Sequence, residues 1–192
     1  MMIRPAEIKD SREIAGLIYE IWEGMDLFIL KLYSREAIQE GLIQAVADQD
    51  NKFSHQNILV EEQDGRVAGM IAIYDGAREF VLHDRLIAIL RQCFLREPFE
   101  ADQEADIGEL YIDAVCVDKS YRGQGLGTKL LQAAESYGAE KGFAVISLNV
   151  EQDNTGARRL YEALGYQEVK QIMIAGHHYA HMVKPSGKAA GA

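Results

Sequence analysis

From Asp10 onward the apolar residues recur at helical spacing, with Ile14, Leu17, Ile18, Ile21 and Trp22 marking one face. Asp10 and Glu13 stand ahead of that face in the spacing of a capping box. A second helix is predicted from Ser34, with Ile38, Leu42, Ile43 and Val46 turned inward. The pattern then becomes that of strands. In "NILVEEQDGRVAGMIAIYDG" two aliphatic runs flank Asp64-Gly65, the signal of a hairpin turn. Helical spacing returns at Leu86, Ile89, Leu90, Cys93 and Phe94, and Pro98 limits it.

The second half alternates more quickly. An acidic connection, "EPFEADQEADIGE", leads to a strand, "ELYIDAVCV", and then to the glycine-rich "YRGQGLG" and a helix ending near Gly142. "AVISLNV" is a strand, and "DNTGARRLYEALG" is a short helix with Asp153 or Asn154 as cap and Gly165 as stop. "YQEVKQIMIA" and "HHYAHMVK" form two strands around Gly176. With neither repeat nor linker in the body, the expected organisation is a single mixed α/β domain over 1–185, followed by a flexible tail over 186–192.

Composition narrows the classes of function. A chain of 192 residues can bury enough apolar surface to need no disulfide or metal. Its two cysteines, Cys93 and Cys116, are too few for a disulfide framework or a zinc site, and they read as buried free thiols. The N-terminus lacks an apolar signal core, and no run approaches the ~20 apolar residues of a membrane span, so a soluble, cytoplasmic protein is expected. The net charge of −10 argues against nucleic acid as a partner. It suits a cationic ligand, whereas an anionic one must be held by local donors.

The glycines at 123, 125 and 127 supply such donors. Neither a dinucleotide fingerprint nor a P-loop fits them, since Thr128 stands where the first needs glycine and "GQGLGTK" lacks the spacing of the second. What remains is R-x-x-G-x-G between a strand and a helix. The first helical turn leaves backbone N–H groups unpaired, and glycines let a phosphate sit directly on them. Arg122 adds a charge-assisted contact. The alternative is a tight turn that binds nothing.

"ELYIDAVCVDKSYRGQGLGTKLLQAAESYGAEKG" followed by "ISLNVEQDNTGARRLYEALGYQEV" closely resembles the acetyl-CoA-binding region of the GNAT superfamily of N-acetyltransferases. The likeness covers residues 108–169. It implies an α/β fold with a mixed sheet, splayed central parallel strands and flanking helices. It also implies that Arg122, Gly123, Gln124, Gly125, Leu126, Gly127 and Thr128 cradle the pyrophosphate of coenzyme A. The backbones of Val115, Cys116 and Val117 would pair with the pantetheine arm, as a peptide adds to a strand edge. Asn154 matches an asparagine near the acyl end and also suits a helix cap. No metal is expected.

Acetyl transfer to an amine raises a proton problem. A lysine-like amine has a pKa near 10.4, so at pH 7 only about one in a few thousand is neutral, and removing that proton costs about 4–5 kcal/mol. The resemblance implies Tyr161, in "LYEALGY", as the acid that protonates the leaving thiolate. By spacing alone Tyr161 is equally a core residue beside Ala157, Leu160 and Leu164. Glu109, thirteen residues before Arg122, matches the base of the histone-acetylating branch. Asp113 is a second candidate if Glu109, Tyr111 and Asp113 share a strand face, which a bulge would reverse. For either carboxylate a structural role is the alternative.

The chain departs from the family in its connection from Ala77 to Ile107. This segment either covers the acceptor site, offering Glu97, Glu100, Asp102, Glu104 and Asp106 to a cationic amine, or is a solvated loop beside a helix packed on the core or on a second copy in a homodimer. His177, His178 and His181 form no established metal pattern, although 177 and 181 share a face. The expected function is N-acetyl transfer from acetyl-CoA to a primary amine of a small molecule or protein. The alternative is a noncatalytic acyl-CoA-binding sensor.

Overall fold

A computed structural model describes residues 2–98 and 102–187. Glu100 and residues 188–192 of the expected tail lie outside them. Seven strands form one sheet in the order β1-β2-β3-β4-β5-β7-β6, comprising β1 (Met2–Pro5), β2 (Ile58–Gln63), β3 (Arg66–Asp75), β4 (Glu109–Val117), β5 (Val145–Glu151), β6 (Gln167–Ile174) and β7 (His177–Pro185). Among these pairs only β4 and β5 run parallel. The helices are α1 (Ser11–Gly24), α2 (Ile29–Leu32), α3 (Arg35–Ala47), α4 (Glu79–Cys93), α5 (Leu126–Lys141) and α6 (Thr155–Ala163).

Two apolar cores sandwich the sheet. On one face Ile14 and Ile18 of α1, Ile38 and Leu42 of α3 and Leu86 and Leu90 of α4 pack over Val60, Met70 and Ala114. On the other, Leu130, Leu131 and Ala134 of α5 and Tyr161 of α6 pack over Ile71, Leu110, Ile112 and Leu148. The long connection thus contains a core helix. Leu90 is 2% exposed, so Leu90→Ala should cost about 2–5 kcal/mol.

The β2–β3 hairpin turns at Asp64-Gly65, both at positive φ (52° and 76°), as the aspartate-glycine pair predicts. The Asp10–Glu13 capping box does not form. Asp10 instead accepts from the Glu7 amide and pairs with Arg4, while Glu13 reaches across to Arg66 and the Val67 amide. The carboxylate of Asp10 is drawn to the Arg4 guanidinium, which lies on β1, a strand not expected from the sequence. The cysteines are free. Cys116 is buried, but Cys93 is only half-buried, with its thiol on Gln44.

Candidate active site

The β4–β5 ladder is short. Pairing runs from Glu109–Val145 to Ile112–Leu148 and ends there. Beyond it β4 stays on β3, with Ala114 to Val117 opposite Ala72 to Gly69, and β5 stays on β7. The two strands therefore part at the level of Asp113. This leaves Val115, Cys116 and Val117 without a β5 partner, and the Val117 carbonyl accepts from Arg122 instead. Val115 and Val117 lean toward the α5 core, and Cys116 toward the α1 core.

A glycine loop follows the parted strands. Gly123 and Gly125 adopt φ of 77° and 74°, a region that side chains other than glycine enter at a cost. Gly125 stands immediately before α5, and the Lys129 amide makes the first helical bond, to the Gly125 carbonyl. The amides of Leu126, Gly127 and Thr128 thus have no partner within the helix. A Cβ built at 123, 125 or 127 would meet nothing within 4 Å, so the space above these amides is open. Arg122 donates to the Val117 carbonyl (3.0 Å) and pairs with Glu20 of α1. Gln124 is exposed. Asn154 caps α6, its Oδ1 accepting from the Ala157 amide at 3.1 Å.

Tyr161 projects from α6 into the α5 core, edge-on to Tyr166 with centroids 6.1 Å apart. Burial pushes its phenol up to about 12, so the hydroxyl keeps its proton at neutral pH.

On the opposite face of β4 lies a cavity of about 210 Å³. Its walls come from α1, the α1–α2 connection and α4, including Trp22, Leu86, Ile87 and Leu90. Its polar groups are Lys52, His83, Asp102, Glu104 and Asp113. Lys52 Nζ lies 2.6 Å from Asp113 and 3.6 Å from Glu104. Burial opposes the ammonium charge, but Asp113 and Glu104 outweigh it and raise the Lys52 pKa. Burial, aided by the Lys52 charge, lowers the imidazole of His83 to about 4 and leaves it neutral at pH 7.

A bulge makes room for this arrangement. Ala72 faces Ala114 while Ile73 faces Ile112, which leaves Asp113 as the extra residue. Asp113 nonetheless stays on the side of Tyr111, where it accepts from the Tyr74 hydroxyl at 3.2 Å. The reversal of facing falls after it, between Asp113 and Ala114.

Below the cavity floor Tyr111 donates to Glu104 (2.8 Å), and Asn149 donates to both Tyr111 and the Glu104 carbonyl (2.9 Å each). The Asn149 amide oxygen meets His181 Nδ1 at 2.8 Å, and His181 Nε2 lies 3.3 Å from Glu109. Glu109 also accepts from the Asp106 amide at 3.2 Å. Glu109 is therefore buried under the floor, whereas Asp113 lines the cavity itself. Asp106, Glu109 and His181 present ligand atoms within 4.8 Å of one another, but Lys170 already places its ammonium 2.7 Å from the Asp106 carboxylate.

Of the carboxylates expected from the long connection, Asp102 and Glu104 line the cavity. Glu97 stands farther out, on the Tyr33 hydroxyl. The sequence reading missed Lys52, Asn149 and His83. A lone lysine, asparagine or histidine carries no periodic signal, and each gains its place only through contacts far along the chain.

The profile of the Acetyltransferase (GNAT) family matches residues 27–166. The chain belongs to this family. A crystal structure described only as an acetyltransferase is 34% identical, with TM-score 0.84, over 97% of this chain and 100% of that one. An N-acetyltransferase from Staphylococcus aureus Mu50 is 29% identical, with TM-score 0.84, over 96% and 100%. A mycothiol acetyltransferase from Sanguibacter keddieii is 38% identical over 47% of this chain and 28% of its own length. The chain thus spans well under two thirds of that curated relative. The mixed α/β fold with its parted parallel strands is the family's, and no described helix is long and apolar enough to cross a membrane.

Proposed function

We propose that this protein transfers the acetyl group of acetyl-CoA to a primary amine by direct attack. The observation that carries the reading is the parting of β4 from β5 at Asp113, with the open α5 amides beyond one end and the acid-floored cavity on one face. The pyrophosphate of coenzyme A would rest on the amides of Leu126, Gly127 and Thr128, with Arg122 beside it. The pantetheine arm would pair with the backbone of Val115, Cys116 and Val117, bringing the thioester toward the parting. Asn154, the cap of α6, would flank the acyl end.

In the transfer the amine lone pair forms a C–N bond to the thioester carbon, and the C–S bond breaks after the tetrahedral intermediate. The backbone N–H of Val117 is the first donor to test for the oxyanion. The amine proton passes to a carboxylate, with Glu109 as the base and Asp113 as its competitor. Asp113 touches the cavity but is tied to Lys52, whereas Glu109 is held by His181 and reaches the floor only through Asn149 and Tyr111. Tyr161 gives its proton to the thiolate. The test is thiol release from acetyl-CoA with amine classes supplied one at a time, against amine-free controls and with product mass as confirmation. Release that requires an amine supports the reading. Acetyl-CoA binding without transfer to any amine would favour a sensor.

A further inference from the structure

The cavity walls and floor differ in chemistry, and together they select a kind of acceptor. Trp22, Leu86, Ile87, Leu90, Leu95 and Ile174 are apolar. Polar groups gather at Asp102, Glu104, Asp113 and Lys52, three carboxyl groups against one ammonium, while His83 is neutral at pH 7. Asp113 and the adjoining Ala114 mark the point where β4 leaves β5. The acidic end of the cavity thus adjoins the point where the two strands part, where the proposed thioester would lie. A second recess continues outward, sharing Met25, Leu27, Ile29, Leu95 and Ala175 with the first. Its carboxylates are partnered, Asp26 by Lys31 and Glu97 by Tyr33, as those of the first cavity are, where Asp113 and Glu104 share Lys52 and Asp102 accepts from the Ala175 amide.

We infer that the acceptor is an amphipathic primary amine, a single ammonium on a compact hydrocarbon or aromatic body. The inference rests on the acetyl-transfer reading above. The ammonium would approach Glu104 and Asp113 while the body displaces water from the walls of α1 and α4. A polyamine would have to strand further charges among Leu86, Leu90 and Leu95, and an aminoglycoside would bury hydroxyls with no partners there. A lysine in a peptide would have to seat its polar backbone in the outer recess, where Met25, Leu27, Phe28, Ile29 and Leu32 outnumber the polar Asp26, Glu97 and His177. The connection from Ala77 to Ile107 is therefore a specificity element, because His83, Leu86, Leu90, Leu95, Asp102 and Glu104 come from it.

The experiment compares kcat/KM for n-butylamine, n-hexylamine and 2-phenylethylamine with spermine and a lysine peptide, at saturating acetyl-CoA. Each added methylene should raise kcat/KM roughly fourfold until the cavity is full, the equivalent of the ~0.8 kcal/mol of a buried CH₂. Trp22 is only half-buried, so Trp22→Ala should fold. It should raise KM for 2-phenylethylamine by about tenfold, as loss of a buried aromatic contact predicts, with acetyl-CoA affinity unchanged. Rates independent of chain length, or preference for spermine or the peptide, would overturn the inference and leave acetyl transfer standing. Acetyl-CoA binding without transfer to any hydrocarbon amine would also overturn it. Absence of acetyl-CoA binding would overturn the reading beneath it.

Discussion

Lys52 Nζ lies 2.6 Å from the carboxylate of Asp113, with both side chains nearly buried. An ion pair withdrawn from water is costly to break from one side, because the remaining charge loses its partner. Lys52→Met should therefore lower stability by about 3–5 kcal/mol. The double variant Lys52→Met/Asp113→Leu should lose markedly less. Denaturant unfolding of the three proteins measures the difference. Equal losses in the single and double variants would show that the pair is not coupled.

His83 links stability to acid. Its pKa falls from 6.5 to about 4 in the folded chain, chiefly through burial and then the Lys52 charge, against Glu104, Asp84 and Asp102. Between those values the unfolded chain binds the extra proton, so this contribution to stability is full above pH 6.5 and is lost as pH falls toward 4. The shift corresponds to about 3 kcal/mol. His83→Gln should flatten the decline of stability between pH 6.5 and 4, as read from denaturant midpoints across that range. An unchanged slope would place the acid sensitivity elsewhere.

Much of this architecture was legible in local sequence. Asp64-Gly65 announced its hairpin, and "RGQGLG" announced the open helix start at Leu126. The capping box at Asp10 failed because Arg4, on a neighbouring strand, competes for the same carboxylate. Alternation placed Asp113 correctly on the face of Tyr111, whereas the reversal at Ala114 comes from a bulge defined only by pairing with β3. The floor joins Lys52 to Glu104 and Asp113, which lie dozens of positions further along the chain, so no short window of sequence contains it. Neither the depth at which Glu109 lies nor its contact with His181 has any local signature.

Tyr161→Phe removes only the hydroxyl. Acetyl-CoA affinity should be retained while kcat falls by about 10²-fold, the scale of a lost general acid. Steady-state kinetics and calorimetry together read both quantities. Unchanged turnover would reduce Tyr161 to its packing role against Tyr166.

Glu109→Gln should lower kcat by about 10²-fold at neutral pH, with activity recovering toward alkaline pH as the amine deprotonates unaided. Asp113→Asn should raise KM, because Asp113 lines the cavity, and should also lower stability by leaving Lys52 without that partner. The pH–rate profiles of the two variants separate the roles. A normal profile for Glu109→Gln would leave Glu109 a structural partner of His181.

The most direct test of the account is calorimetric titration of acetyl-CoA into the wild-type protein and into Gly125→Val. Gly125 has a φ of 74°, where a β-branched residue is strained by about 1–2 kcal/mol, and the added side chain would enter the open space at the start of α5. The account predicts one-to-one binding to the wild type and at least about tenfold weaker binding to the variant, at unchanged helical content, since phosphate contact with the amides would be obstructed. Equal affinities would contradict the placement of the cofactor at Gly125, and absence of binding to the wild type would contradict the account as a whole.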